Sequence, residues 1–269
     1  MEKMKASTWQ YTPPNSPQPL PRTSFLLSGP DLIPVEMANF EGETISIDEL
    51  KQLCLESTAD DESIANIFLN NGDTKFSSRK PVLLLGELAN PFQLSRLNLG
   101  IIPVLTVRIR NVCKTYADSL DSRMITPGIH HITLARTQGW WEGSHLAFAT
   151  IEQIKKMIDW LSNGRQGAWR PVKPAEGEIM LEYDSLLNPP SKESIVWDGK
   201  TELCNAVEPP STGPSFNISE VIVPVHTRYG CYDSRGKLIR HAHVVQRDFH
   251  SNYFRRGSSM KWQDILDVI

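Results

Sequence analysis

Cysteine is scarce and scattered in this chain of 269 residues: Cys54, Cys113, Cys204 and Cys231 form no CxxC pair. Neither a disulfide framework nor a cysteine-based zinc finger is expected, and the thiols read as small apolar core residues of a reducing compartment. Long apolar runs are missing too. A membrane-spanning helix needs about 18 to 20 apolar residues, whereas the longest candidates, 82–85 and 221–225, have strand length. Where a secretory leader would carry its apolar segment, residues 11–22 are polar and proline-rich. The expected location is therefore intracellular, cytoplasmic or nuclear, and the Asn217-Ile-Ser219 triplet reads as a chance glycosylation match. The chain also lacks GxxxxGK followed by Ser or Thr, GxGxxG, GxSxG and HExxH. Without a glycine-rich loop feeding a helix N-terminus, nucleotide-dependent chemistry is not expected.

What is present is the composition of a globular chain, with 40% hydrophobic residues, 22% charged residues and a net charge of −3. Its length allows one elaborated domain or two small ones. Prolines 13, 14, 17, 19 and 21 fall within nine residues and deny the backbone both helix and sheet donors. Residues 1–23 are accordingly expected to form a flexible proline-rich arm. Residues 24–269 are expected to form a single α+β domain, with a candidate subdivision near 75–80.

Local signals place four helices. Ser46 and Glu49 form a capping box ahead of a helix at 47–57, and 61–70 presents Ile64, Ile67 and Phe68 on one side before Asn71-Gly72. Thr150 and Gln153 cap a helix at 151–163 whose apolar stripe is Ile151, Ile154, Ile158 and Leu161. A last helix, 259–269, places Trp262, Ile265, Leu266 and Ile269 on one face. Strand-like runs lie at 81–87, 103–113, 129–136, 143–149, 177–183, 194–197, 218–226 and 237–247. Leu105, Val107 and Ile109 alternate with Thr106, Arg108 and Arg110, the period of a strand with one wet face. Asp233-Ser-Arg-Gly236 supplies turn chemistry between the last two runs. The prolines at 189–190 and 209–214 mark two exposed loops. The fold class expected is α+β, with a mixed or mainly antiparallel sheet and a few short amphipathic helices.

Charge is segregated along the chain. Between Asp31 and Asp73 eleven acidic residues accompany one basic residue, Lys51, and between Arg228 and Lys261 eight Lys or Arg accompany two Asp. The basic segment is interleaved with aromatic rings, so Arg228, Tyr229, Arg240, Arg247, Tyr253, Arg255 and Arg256 read as a binding face. Cations there would meet phosphates and rings would stack on unpaired bases. Anionic lipid, or the acidic region of a second copy, would satisfy the same charges.

One histidine cluster has metal-site character. Residues two apart in a strand share a face, so His241 and His243 would aim their imidazoles at one divalent ion such as zinc or iron. His226, on the run expected to pair with theirs, and Asp248 would complete the set; His250 lies just beyond. Elsewhere Trp140-Trp141-Glu142, bounded by Gly139 and Gly143, reads as the tip between two strands. Two indoles there suit an interface or ligand stacking, and Glu142 is a candidate general base.

Two short stretches resemble known families. Gly128-Ile-His130-His131-Ile-Thr-Leu134 resembles the opening strand of the vicinal-oxygen-chelate superfamily, the glyoxalases and extradiol dioxygenases. The resemblance implies a divalent metal on His131, although no second copy of the module is legible. Thr106-Val-Arg-Ile-Arg110 through Lys114-Thr-Tyr-Ala-Asp-Ser-Leu120 resembles the first core strand and following helix of rhabdovirus matrix proteins. That likeness, over about fifteen residues, implies a self-associating structural protein bridging a nucleocapsid and a membrane. The family's lysine-rich, PPxY-bearing arm has no counterpart here, since Tyr11 precedes Pro13-Pro14.

Together these features predict a non-catalytic interaction or assembly protein that needs no cofactor. Its partners would be itself, another protein, nucleic acid or an anionic membrane surface. The alternative is a metal-dependent hydrolase or oxygenase acting on a small molecule through the histidine cluster.

Overall fold

The computed structural model describes all residues except 1–2, 74, 122, 124–127, 166, 184–186, 227–228, 232–236 and 255–258; the side chains of 229–231 and 259–263 also lie outside the description. The principal strands are β1 (Phe25–Ser28), β2 (Asp31–Glu36), β3 (Lys80–Leu84), β4 (Ile101–Leu120), β5 (His130–Ala149), β6 (Trp169–Val172), β7 (Glu178–Leu181) and β8 (Val223–His226). Four helices accompany them: α1 (Ile47–Glu56), α2 (Ile64–Asn70), α3 (Pro91–Arg96) and α4 (Ile151–Ser162). The class is α+β, with a mixed, mainly antiparallel sheet. Among the described residues no helix is long and apolar enough to cross a membrane.

The spine of the molecule is the antiparallel hairpin of β4 and β5, 20 residues in each strand. Each outer edge is shared in succession by shorter partners. Along β4 these are β1 at 101–104, then β7 at 107–110, then Tyr229–Cys231 at Ala117. Along β5, β3 takes 145–149, and the strand Glu202–Cys204 meets Gln138 in parallel.

The hairpin is not uniform. Register jumps where Arg110 faces Trp141 and Val112 faces Arg136. Asn111, at φ 61°, stands opposite an inserted loop on β5, and its Oδ1 accepts from Gly139 N at 2.9 Å. Gly139 has φ 74°, and a Cβ there would lie 2.4 Å from the Cys204 carbonyl oxygen, so glycine is required twice over. What reads from sequence as a tip between strands is thus a bulge inside one continuous strand.

Period-two alternation sends the two faces of the hairpin's open end into two cores. Leu105, Val107, Ile109, Leu146 and Phe148 pack with Leu50, Leu53, Ile64, Phe68 and Phe76 of the helical hairpin. Val104, Ala147 and Ala149 face the other way, toward Leu94 of α3 and Ile154, Met157 and Leu161 of α4. Each large side chain so buried contributes about 1.5–3 kcal/mol. Because α1, α2 and Phe76 share a core with the central strands, packing runs across 75–80 without a break. Both capping boxes are present, Ser46 with Glu49 and Thr150 with Gln153, and α4 ends at left-handed Asn163.

Four expectations are corrected. The face of β4 expected to be wet is covered at Thr106 and Arg108 and open at Arg110, whose side chain is 35% exposed; Arg108 is 2% exposed, and its guanidinium binds Glu182 at 2.7 Å, Glu208 at 3.0 Å and the Pro209 and Pro210 carbonyls. The 208–214 loop, exposed at 209–211 as its prolines suggest, turns two carbonyls in to meet it. Second, residues 3–23 run over the body instead of standing off as an arm. Met4 pairs with Leu32, Ala6 N donates to the Pro30 carbonyl, and Tyr11 OH donates to Glu87. Prolines cannot donate, but carbonyls in the segment still accept: His145 Nε2 donates to Pro21 at 3.0 Å, and Gln246 N donates to Ser16 at 2.9 Å. Third, 237–247 is not a strand. Only Leu238 and Arg240 make isolated bridges, His241–His243 form a 3-10 turn, and Gln246–Asp248 an α turn. Fourth, the strand run expected at 103–113 is longer, and residues 114–120 continue β4. The last helix is the short turn Trp262–Ile265, and the Asp233–Gly236 turn lies outside the described residues.

Candidate functional site

Of the expected basic-aromatic face, Arg240, Arg247 and Tyr253 are described in full. Arg240 is 3% exposed, bound to Glu202 Oε2 at 2.7 Å and Thr137 Oγ1 at 3.2 Å, with its guanidinium 5.0 Å from the Trp140 ring centre. It is a structural ion pair, corrected here from a surface cation. Its burial is hidden in sequence because Glu202 lies 38 residues away. Arg247 is exposed and Tyr253 half-buried on the segment that follows. Tyr229 lies on a short strand with its side chain outside the description, and Arg228, Arg255 and Arg256 lie outside the described residues altogether.

The proposed metal ligands are not brought together. His226 pairs in register with Trp169 across β8 and β6, not with the 237–247 run. A 3-10 turn has no two-residue face, so His241 and His243 diverge. His241 Nε2 meets Ser16 Oγ at 3.1 Å, whereas His243 Nε2 donates to the Pro190 carbonyl at 2.8 Å and its ring stands edge-on to Trp140. Asp248 is exposed. Among the described residues no group of three or more His, Cys, Asp or Glu is arranged to hold a metal ion.

Trp140 and Trp141 are buried at 1% and 4% exposure, so neither indole offers a stacking surface. Glu142 is engaged three ways: Lys114 N donates to it at 2.6 Å, Trp140 Nε1 at 3.2 Å, and Lys114 Nζ lies 3.3 Å away. A carboxylate so neutralised anchors the bulge and is not positioned as a free base.

The residues that do converge lie at the turn end of the hairpin, around 112–120 and 130–136. Asp121, Arg123, Glu87 and Tyr11 form one chain of contacts: Arg123 Nε donates to Asp121 Oδ1 at 2.8 Å, its Nη2 reaches Glu87 Oε2 at 2.6 Å, and Tyr11 OH donates to the other Glu87 oxygen. The guanidinium lies 3.8 Å from the Trp160 ring centre. Burial would push the Asp121 carboxyl up, but the Arg123 hydrogen bonds and charge hold it below its ordinary value. Burial raises Glu87, with Arg123 opposing, and raises the Tyr11 phenol, reinforced by Glu87.

Beside this chain His131 stacks on His226, ring centres 5.2 Å apart at 16°, and both rings stand edge-on to Trp169. Ser119 Oγ lies 3.2 Å from His226 Nε2. Near-parallel stacked imidazoles do not converge their nitrogens on one ion. Burial, partly opposed by Asp121, pushes His131 down to about 3. His130, pointing to the opposite face, is pushed down to about 4 by burial and then by His250. Sequence reading singled out His131 but missed the polar chain around it, whose local trace is the two-residue spacing of Asp121 and Arg123.

The charge asymmetry has a clearer structural counterpart. Glu41, Glu43, Asp48, Glu49, Glu56 and Asp61 are exposed around the helical hairpin. The cations paired with this stretch are Lys3 on Asp60, Lys5 on Asp31, Lys51 on Asp48 and Arg79 on Asp73. No protein-family model, no curated protein and no solved structure matches the chain.

Proposed function

We propose that the protein is a non-catalytic interaction and assembly protein whose acidic helical-hairpin face takes a basic partner, in the first instance a second copy. The observation that carries this reading is the exposed carboxylate surface at 41–61. It is supported by how the buried charges are used. Arg108, Arg123, Arg240 and Lys114 are each committed to internal carboxylates, so they serve to pin loops onto the hairpin. Arg247, which is exposed, belongs to the basic C-terminal region that would face the acidic hairpin of a neighbour. Facing surfaces of opposite charge speed encounter and fix orientation more than they add affinity, so the association should be sensitive to salt.

Sedimentation velocity at about 20 mM and about 500 mM salt tests this, since the Debye length shrinks several-fold between them. The expected result is self-association at low salt that dissociates at high salt and is weakened in a Glu41→Lys, Glu43→Lys, Glu56→Lys variant. A monomer at low salt, together with no retention of RNA, DNA or anionic vesicles in filter and flotation assays, overturns the reading.

A further inference from the structure

The C-terminal segment 240–254 closes over the turn end of the hairpin with a small core of its own. Tyr116, Ile132, Ile239 and Phe249 form a cluster separate from the two main cores, with Val244, Tyr253 and Phe254 packed against it. Phe249 stacks on Tyr116 at 4.1 Å and 10°. Polar tethers supplement this packing. Tyr116 OH donates to the Val244 carbonyl, Thr115 Oγ1 donates to Ile239 at 2.8 Å, and the Gln246 amide exchanges two hydrogen bonds with the His130 backbone at 2.9 and 2.7 Å.

Two further tethers run through imidazoles. His130 Nε2 and His250 Nδ1 are 3.0 Å apart, so one nitrogen donates and the other must keep its lone pair. His241 is buried with its Nε2 on Ser16 Oγ and its ring edge-on to Tyr116 at 5.4 Å. Gly128 lies against the His250 ring, where a Cβ would come within 2.7 Å, so only glycine leaves the ring its place.

We propose that residues 240–254 form an acid-released clasp: protonating the His130–His250 pair and His241 detaches this segment from the hairpin and uncovers Tyr116 and Ile132, while the rest of the fold stays closed. This inference is independent of the assembly reading, because it concerns an intramolecular contact.

The charges facing these imidazoles favour neutrality. His250, and His131 with the His226 stacked on it, are the titratable groups around His130. Asp248 acts on Tyr116, next to the clasp core. Asp121 lies toward His131, and Arg123 beside it adds positive charge. Around His241, Lys114 adds to the cost of a second positive charge, and Glu142 is already engaged with that lysine. Arg240, its chain neighbour, is spent on Glu202. Burial holds His241 down to about 3. A released imidazole regains its ordinary affinity for protons, so each of His130 and His241 favours release by about thirty-fold at pH 5 relative to neutral pH.

Hydrogen exchange read by mass spectrometry on the full chain, corrected for intrinsic rates, tests the proposal. Between pH 7.5 and 5.0 the amides of 241–254 should lose at least about tenfold in protection, with those of α4 unchanged. His130→Phe should shrink that loss; if it does not fold at neutral pH, His250→Gln takes its place. Equal protection of 241–254 at both pH values overturns the proposal. So does loss shared equally with α4, or a folded variant that keeps the full wild-type loss.

Discussion

The two halves of the β4–β5 hairpin are built from the same kind of strand and held by different chemistry. At the open end, Leu105, Val107, Leu146 and Phe148 sit between helices, and the one imidazole, His145, donates to Pro21. Beyond the Asn111 bulge, the turn end is covered by loops and carries His130, His131, His226, His241 and His250. Apolar burial is indifferent to protons, whereas a buried imidazole stabilises the fold only while neutral. Three imidazoles depressed by burial, His130, His131 and His241, thus sit at the turn end against one, His145, in the open half, so the turn end is the more acid-sensitive of the two, and the bulge marks their boundary.

The largest effect that would break or sharpen this contrast is the pH dependence of stability. His130, His131, His145 and His241 are held near 4, 3, 4 and 3 from an ordinary 6.5, mainly by burial. Below about pH 6.5 the unfolded chain binds protons that the folded chain refuses, so stability falls as pH falls until about pH 3 to 4. Each such imidazole contributes a slope of about 1.4 kcal/mol per pH unit in that window. Urea denaturation at pH 7.5, 6.5 and 5.5 reads the sum, and a flat profile removes the distinction between the halves.

Next in size, Arg240→Ala should cost about 3–5 kcal/mol, because Glu202, buried at 7% exposure, is left without its cation. A loss under about 1 kcal/mol in the same denaturation experiment would mean that water reaches the pair. In the open half, Leu146→Ala should cost about 3 kcal/mol through the cavity it leaves, by the same amount at pH 7.5 and 5.5. A penalty that changes with pH would couple the two halves. The smallest effect is that of Thr150→Ala, which removes the α4 cap bond to Gln153 N at 3.2 Å and should lower thermal stability by about 1 kcal/mol.

The features legible in the sequence were those with short-range causes. Both capping boxes act over three residues, and they mark the starts of α1 and α4 to the residue. Leu105, Val107 and Ile109 show their period directly. The insertion on β5 opposite Asn111 reads from sequence as a tip between two strands because Gly139 and Gly143 carry the same chemistry in a bulge as in a turn. The 237–247 run looked like a strand because Leu238, Ile239, Val244 and Val245 fit that pattern. Its actual path is set by Ser16, Pro190 and Glu202, up to 225 residues away. Arg108 and Arg240 looked like surface cations for the same reason, since no local period announces a distant carboxylate. Of the candidate site, sequence exposed the histidines one by one and the acidic stretch as a whole, but not which rings meet.

The most direct test of the contrast is an NMR titration of the individual histidine ring resonances between pH 8 and pH 4.5, assigned by single substitutions. The account predicts that His130 and His241 remain neutral in the folded protein at pH 5.5, where an ordinary imidazole is mostly charged. Ordinary titration of both rings near 6.5, with the fold intact and Phe249 still stacked on Tyr116, would contradict it.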